Sequence, residues 1–374
     1  MMTLNFVING ILLVILVSKA LSQHIACVGN GTLPDELLVS NPRLKDIAAE
    51  HKSRCSQEST VRNFEGISLG YITPWNNHGY DIAKWFGHKF THISPVWLQI
   101  RHNADLKYKI TGTHDIDPNW ISEVKKNNIK MVPRILFDGW TPQHIEELEG
   151  RAAKDKVIKL ITSLIKKHNF DGIVLEGWMQ LIASGNVISA MELVKLLSVE
   201  LQALKKDFIL VIPPIRGPQT IFGSKHFDLL ADTVTAFSIM TYDYSSGQRN
   251  PGPTSPVHWM KECVELIVPK NEDARRSKVL VGLNFYGYHF TSGGPEAILG
   301  NQFIDLTKSI KGKMKLDKQA DENFVEIKTK SAKHTIYYPT LYSIKQRIRL
   351  AEELGVGIAI WELGQGLDYF YELL

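Results

Sequence analysis

The sequence predicts an α/β fold: an eight-stranded (β/α)8 TIM barrel with a small β-hairpin insertion between strand seven and helix seven. Three observations lead there. From Ile67 onward, short apolar runs rich in Val, Ile and Phe alternate with longer amphipathic stretches. There are eight such runs, and strands buried on both faces and separated by helices imply a parallel sheet. The chain has 374 residues, and a barrel of about 250 leaves room for an arm and an insertion.

The elements follow in order. Residues 1–22 carry the unbroken apolar core "ILLVILV" (11–17), then Ala20, Leu21 and Ser22 in the small-x-small spacing of a signal-peptidase site. The run is too short for a membrane span, which needs about 20 residues. It reads as a cleaved secretory signal, leaving no span afterwards. Secretion fits the only sequon, "NGT" at Asn30, a glycosylation acceptor. Residues 23–64 show no clear period and read as an N-terminal arm outside the main domain. Cys27 and Cys55 could bridge within it, leaving Cys263 buried, although spacing alone does not fix pairing.

The barrel occupies 65–374. Its strand runs are 67–75, 90–100, 130–137, 170–178, 208–215, 234–244, 278–288 and 356–364. Helices are expected at Asp117–Asn127, Asp155–His168, Ile188–Lys206, Pro256–Leu266 and Tyr342–Leu354, the second with Val157, Ile158, Ile161, Leu164 and Ile165 on one face. The interval of about 290–338 is too long for one helix. Two alternating runs flanking "SAKH", Phe324–Thr329 and His334–Tyr338, predict the hairpin there.

Composition excludes some functions. A net charge of +4 without a dense Lys/Arg run gives no phosphate track for nucleic acid. No G-x-G-x-x-G follows the first strand, which argues against dinucleotide binding. The histidines lack metal-ligand spacing, so neither metal nor cofactor is expected.

In a (β/α)8 barrel, function sits at the C-terminal strand ends. Here strand four ends "VLEGW", strand six "MTYDY", strand seven reads "GLNFYG" and strand eight "IWELGQG". These residues resemble glycoside hydrolase family eighteen, the chitinases and chitinase-like lectins. The family's strand-four pattern D-G-x-D-x-D-x-E meets Asp171, Gly172, Val174, Glu176 and Trp178 here. "MTYD" (Met240–Asp243) matches strand six, "GLNFYG" has Asn284 in place of the strand-seven proline, and Trp361 matches the tryptophan that floors the sugar subsite. The resemblance also implies a cis peptide between Trp361 and Glu362.

Active members cleave with help from the substrate's own acetamide, so the usual two-carboxylate scheme does not apply. A glutamate protonates the leaving oxygen, and an aspartate two residues earlier steadies the acetamide. Trp178 stands at the acid position and Glu176 at the orienting one. Two residues along a strand is roughly 6–7 Å, too far for Glu176 to take over. General-acid loss alone removes about 10²–10⁴-fold in rate. The sequence therefore predicts no catalysis.

With the secretory signal, the resemblance implies a secreted or lysosomal saccharide-binding protein with a part in innate pathogen sensing. The resemblance implies chito-oligosaccharide or lipopolysaccharide ligands, and a stabilin-type scavenger receptor as partner. The candidate ligand residues are Trp361, Trp178, Tyr242, Asp243, Glu176, Met240, Trp75, Trp97, Trp140 and Glu362, because flat indoles suit pyranose faces and strand-end polar groups suit hydroxyls. The alternatives are an active glycosidase whose acid has moved to Glu362 or Asp138, and a protein-interaction barrel with a vestigial groove.

Overall fold

Each apolar run forms a barrel strand. In the computed structural model, which describes residues 35–54, 61–103, 107–217, 220–328 and 333–374, β1 is Ser68–Ile72. Strand β2 is His92–Pro95, resumed as Leu98–Asn103 after a break. Strand β3 is Lys130–Met131, resumed as Arg134–Phe137. Then come β4 (Gly172–Glu176), β5 (Asp207–Ile212), β6 (Ala236–Ile239), β7 (Val279–Asn284) and β8 (Gly357–Trp361). All these neighbours pair in parallel. Strand β8 pairs with both β7 and β1, which closes the ring.

Closure divides the apolar residues into two sets by strand alternation. Leu69, Val96, Val132, Val174, Ile209 and Ala359 fill the barrel interior. The alternate residues face the surrounding helices and join the larger core.

The helices start and stop at residues suited to it. Asp117 accepts from the amides of Asn119 and Trp120 to cap Pro118–Lys125, with Pro118 in the first turn. Thr340 caps Leu341–Leu354, and Gly355, at φ 65°, ends it in a left-handed conformation. Arg151–His168, Val187–Ala203 and Val257–Ile267 lie where the apolar spacing places them. The short helices His78–Trp85, Pro142–Glu147 and Ser224–Leu230 complete the layer with little sequence period to announce them.

The insertion after β7 is larger than the predicted hairpin. Glu322–Lys328 and Lys333–Tyr337 do pair antiparallel. They belong to a five-stranded sheet with Gly294–Ile298, Gly287–Thr291 and Lys315–Asp317, accompanied by the helix Gly300–Thr307. Glu322 anchors this sheet to the barrel. Its carboxylate accepts from the Thr254 and Ser255 amides at 2.7 and 2.9 Å and from Arg347 at 3.0 Å, all buried.

The described part of the arm does not stand apart. Leu37, Leu44 and Ile47 enter the main core. Arg43 bridges to Lys313, and Asn323 Nδ2 donates to the Ser40 carbonyl at 2.8 Å. Cys263 is buried with a free thiol. The signal read at 1–22, Asn30, Cys27 and Cys55 all lie outside the described residues. Among the described residues, no helix is long and apolar enough to cross a membrane.

Removing one member of a buried, hydrogen-bonded ion pair leaves the other charge uncompensated. Glu322→Gln is expected to lower unfolding free energy by about 3–5 kcal/mol, read as a lower midpoint in urea denaturation. An unchanged midpoint would mean that the pair does not anchor the insertion.

Candidate functional site

The C-terminal ends of β1–β8 open into a mouth whose floor is Trp361. This indole is half-buried and packs on the interior cluster with Met240, its ring centroid 5.3 Å from that of Tyr71. The Tyr71 hydroxyl donates to Ser238 Oγ at 3.0 Å, and burial raises its pKa. The Trp361–Glu362 peptide is cis, as the resemblance implied.

Strand β4 ends at Glu176, and this decides the site. Val174 lies in the interior cluster, so alternation brings Glu176 inward one layer higher. Its side chain is 29% exposed and pairs with Arg134 at 2.8 Å. Arg134 neighbours Val174 across β3 and keeps a buried Nε without a partner.

The next residue, Gly177, leaves the strand at φ −163°, ψ −4°. A Cβ there would lie 2.6 Å from the Phe137 ring. Trp178 then begins the short helix Trp178–Leu181 and turns outward. It is 1% exposed, packs edge-on to Phe222 at 5.0 Å, and donates to the Ile221 carbonyl at 3.3 Å. Trp178 is therefore a packing residue outside the mouth, contrary to its expected role as a groove wall.

Trp97 is corrected in the same way. The break between the two halves of β2 turns it out of the barrel, where it is fully buried and donates to Tyr80 Oη at 2.7 Å. Trp140 is half-buried, stacked 5.4 Å from Tyr108, with its indole nitrogen on the Ile100 carbonyl. It braces the rim. Trp75 is 70% exposed at the end of β1 and is the aromatic most open to a ligand among the four.

The segment after β6 contributes Tyr242 and Asp243. Burial holds the Tyr242 phenol well above its usual pKa. Asp243, at φ 62°, accepts from Tyr288 Oη at 2.8 Å and from Tyr286 Oη. Arg216 fixes both backbone carbonyls at 3.0 Å.

The two carboxyls named as relocated acids differ sharply. Asp138 follows β3 on the rim, 37% exposed and paired with Arg101 at 2.5 Å. Glu362 is fully buried and accepts from Asn76 Nδ2 at 2.5 Å and the Gly364 amide at 2.9 Å. Burial pushes its pKa up to about 7, against the opposing effect of these donors. Glu362 thus joins the loops after β1 and β8 from behind the mouth, and the structure does not bring it to the sugar platform.

Arg134, Arg101, Tyr71, Tyr286 and Tyr288 were not singled out from the sequence. Alternation could have found Tyr71, two residues beyond the inward Leu69, and Arg134, beside Val174. Among the described residues, no group of three or more His, Cys, Asp or Glu could hold a metal ion.

The family model of glycosyl hydrolases family 18 matches residues 67–366, from β1 to just past β8. The chain belongs to this family. An uncharacterized glycosylase, YvbX, of Bacillus subtilis is 22% identical over 251 residues, covering 64% of this chain and 70% of that protein. The solved spore cortex-lytic enzyme SleL of Bacillus megaterium superposes with a TM-score of 0.66 at 19% identity, covering 82% of this chain and 73% of that one. The family 18 chitinase of Cycas revoluta, solved in complex with (GlcNAc)3, superposes with a TM-score of 0.66 at 14% identity, covering 82% and 97%.

These relatives correct the expectation of a chain without catalysis. The family is one of hydrolases, the Bacillus subtilis relative is a glycosylase by name, and the solved neighbours are a lytic enzyme and a chitinase. Trp178 itself leaves the mouth once the strand has ended, so the family's acid position offers no proton donor here and any acid must come from another element.

The raised pKa of Glu362 has a consequence for stability. Between its ordinary value of 4.5 and about 7 the unfolded chain releases this proton while the folded chain keeps it. The folded state then binds more protons, so the Glu362 contribution is full below pH 4.5 and is lost as pH rises through about 7. Glu362→Gln is expected to flatten that fall. Urea midpoints for both proteins at several pH values would check this, and parallel slopes would contradict it.

Proposed function

We propose that the chain is a glycosidase that cleaves β-linked N-acetylglucosamine oligosaccharides, with Asp138 as the proton donor in place of a strand-four glutamate. One observation carries the reading. In the pairing of β3 with β4, Leu136 is level with Glu176, and Asp138 follows directly on the end of β3 at Phe137, so it stands on the rim above Glu176, where a continued strand four would have carried its acid. The family's acid is needed at that height, roughly 6–7 Å beyond Glu176. Asp138 brings a carboxyl to that side of the mouth from just past the neighbouring strand, one strand spacing of about 4.8 Å away.

The roles follow from position. Trp361 and Trp75 offer flat apolar surfaces to sugar rings. Asp138 gives its proton to the leaving glycosidic oxygen, and Arg101 beside it holds the carboxylate that remains. Glu176, steadied by Arg134, orients the substrate's acetamide as its carbonyl oxygen attacks the anomeric carbon. Geometry takes precedence over a favourable pKa in choosing an acid. Glu362 has the higher pKa, but it is sealed behind Asn76 and Gly364.

The test is incubation of the purified protein with chitotetraose, with products read by mass spectrometry. Shorter oligosaccharides are expected from the wild type. Asp138→Asn and Glu176→Gln should each lower kcat by about 10²–10⁴-fold, whereas Glu362→Gln should keep kcat within about three-fold. Intact chitotetraose after prolonged incubation would sink the proposal. Full activity in Asp138→Asn would place the acid elsewhere.

A further inference from the structure

Beside the mouth lies a second cleft of about 540 Å³, within the ~300–1,000 Å³ range of small-molecule sites. Four segments distant in sequence wall it: the arm, the loop after β1, the start of the helix Gly300–Thr307, and the chain beyond β8. Its polar groups are mostly donors. His51, Lys52, Arg54, Asn76 and His78 face two carboxylates, Asp305 and Asp368.

Both carboxylates are already engaged. Asp368, buried, takes His78 Nε2 at 2.7 Å on one oxygen and Arg54 at 3.3 Å on the other. Asp305 is paired with Lys308 at 2.7 Å. Lys52 is exposed and forms no ion pair among the described residues. Arg54 is held in place, its guanidinium carbon 3.6 Å from the centre of the Trp85 ring. A guanidinium fixed on an indole, with spare N–H groups and a free ammonium two residues away, is a preorganised receptor for a negatively charged oxygen group.

We propose that this cleft binds a small molecule or sugar unit bearing a carboxylate, sulfate or phosphate, with Arg54 and Lys52 contacting the anion. The anion can come from two sources. Asn76, which lines the cleft, directly follows the exposed Trp75 at the rim. A glycan lying on Trp75 could therefore deliver a charged residue into the cleft, and that source rests on the saccharide reading of the mouth. A free anion does not need that reading.

The test is calorimetric titration of the full chain with N-acetylglucosamine 6-sulfate, N-acetylglucosamine and inorganic sulfate, at low and moderate salt. The sulfated sugar is expected to bind about ten-fold tighter than the neutral one, more weakly as salt rises. Lys52→Gln and Arg54→Gln should each reduce its affinity by about five-fold or more, while leaving chitotetraose binding at the mouth unchanged. Because Arg54 also pairs with Asp368, the exposed Lys52 is the variant that cannot fail merely by misfolding. A sulfated sugar binding tighter than inorganic sulfate supports a glycan source, and equal binding supports a free anion. Equal affinity for sulfated and neutral sugar, or unchanged affinity in both variants, would overturn the proposal. Failure of chitotetraose cleavage alone would count against the mouth and not against this cleft.

Discussion

The Phe137 ring fills the space where a side chain at position 177 would be, and the shape of the mouth depends on that contact. A larger residue there would have to push the Phe137 ring aside, because a Cβ would meet it at 2.6 Å. The early end of β4 places a charged layer, Glu176 with Arg134, at the top of the sheet and sends a large indole into the outer core. One close packing contact between neighbouring strands thus sets which side chains a ligand can meet.

Around this mouth, buried polar groups hold loops that lack regular structure. Glu362 receives donors from the segments after β1 and β8, and Glu322 from the segment before Val257–Ile267. In both places a carboxyl replaces the backbone partners that a sheet or helix would have supplied. The arrangement keeps the rim ordered while its outer surface, including Trp75, stays open. The glycosidase reading depends on this rigidity, because a proton donor on a neighbouring strand is useful only at a fixed height.

Much of the barrel was legible because parallel strands buried on both faces leave continuous apolar runs, such as "DFILVI" in β5. Glu176 was legible because alternation runs on from Val174 to the end of β4, whereas Trp361, Met240 and Tyr242 were named from their match to the family's motifs. Reading failed where strands break. Trp97 follows an interruption and Trp178 follows a departure, and in neither place does the sequence announce the change of face. The five-stranded insertion was only half visible. "GYHFT" reads as the tail of β7, and its pairing with Lys333–Tyr337 joins segments 45 residues apart. Arg134 escaped notice because a lone arginine in an apolar run gives no hint of the acid it will meet.

The contact between Asn323 and Ser40 spans 283 positions of the chain. On a ribosome the arm is made long before the insertion on which it docks. Until the helix Gly300–Thr307 has been made, Leu44 and Ile47 lack part of the surface they pack on. Local contacts can form early, but these must wait for the loop to close. The arm therefore works as a latch that can dock only after the insertion it rests on has been made.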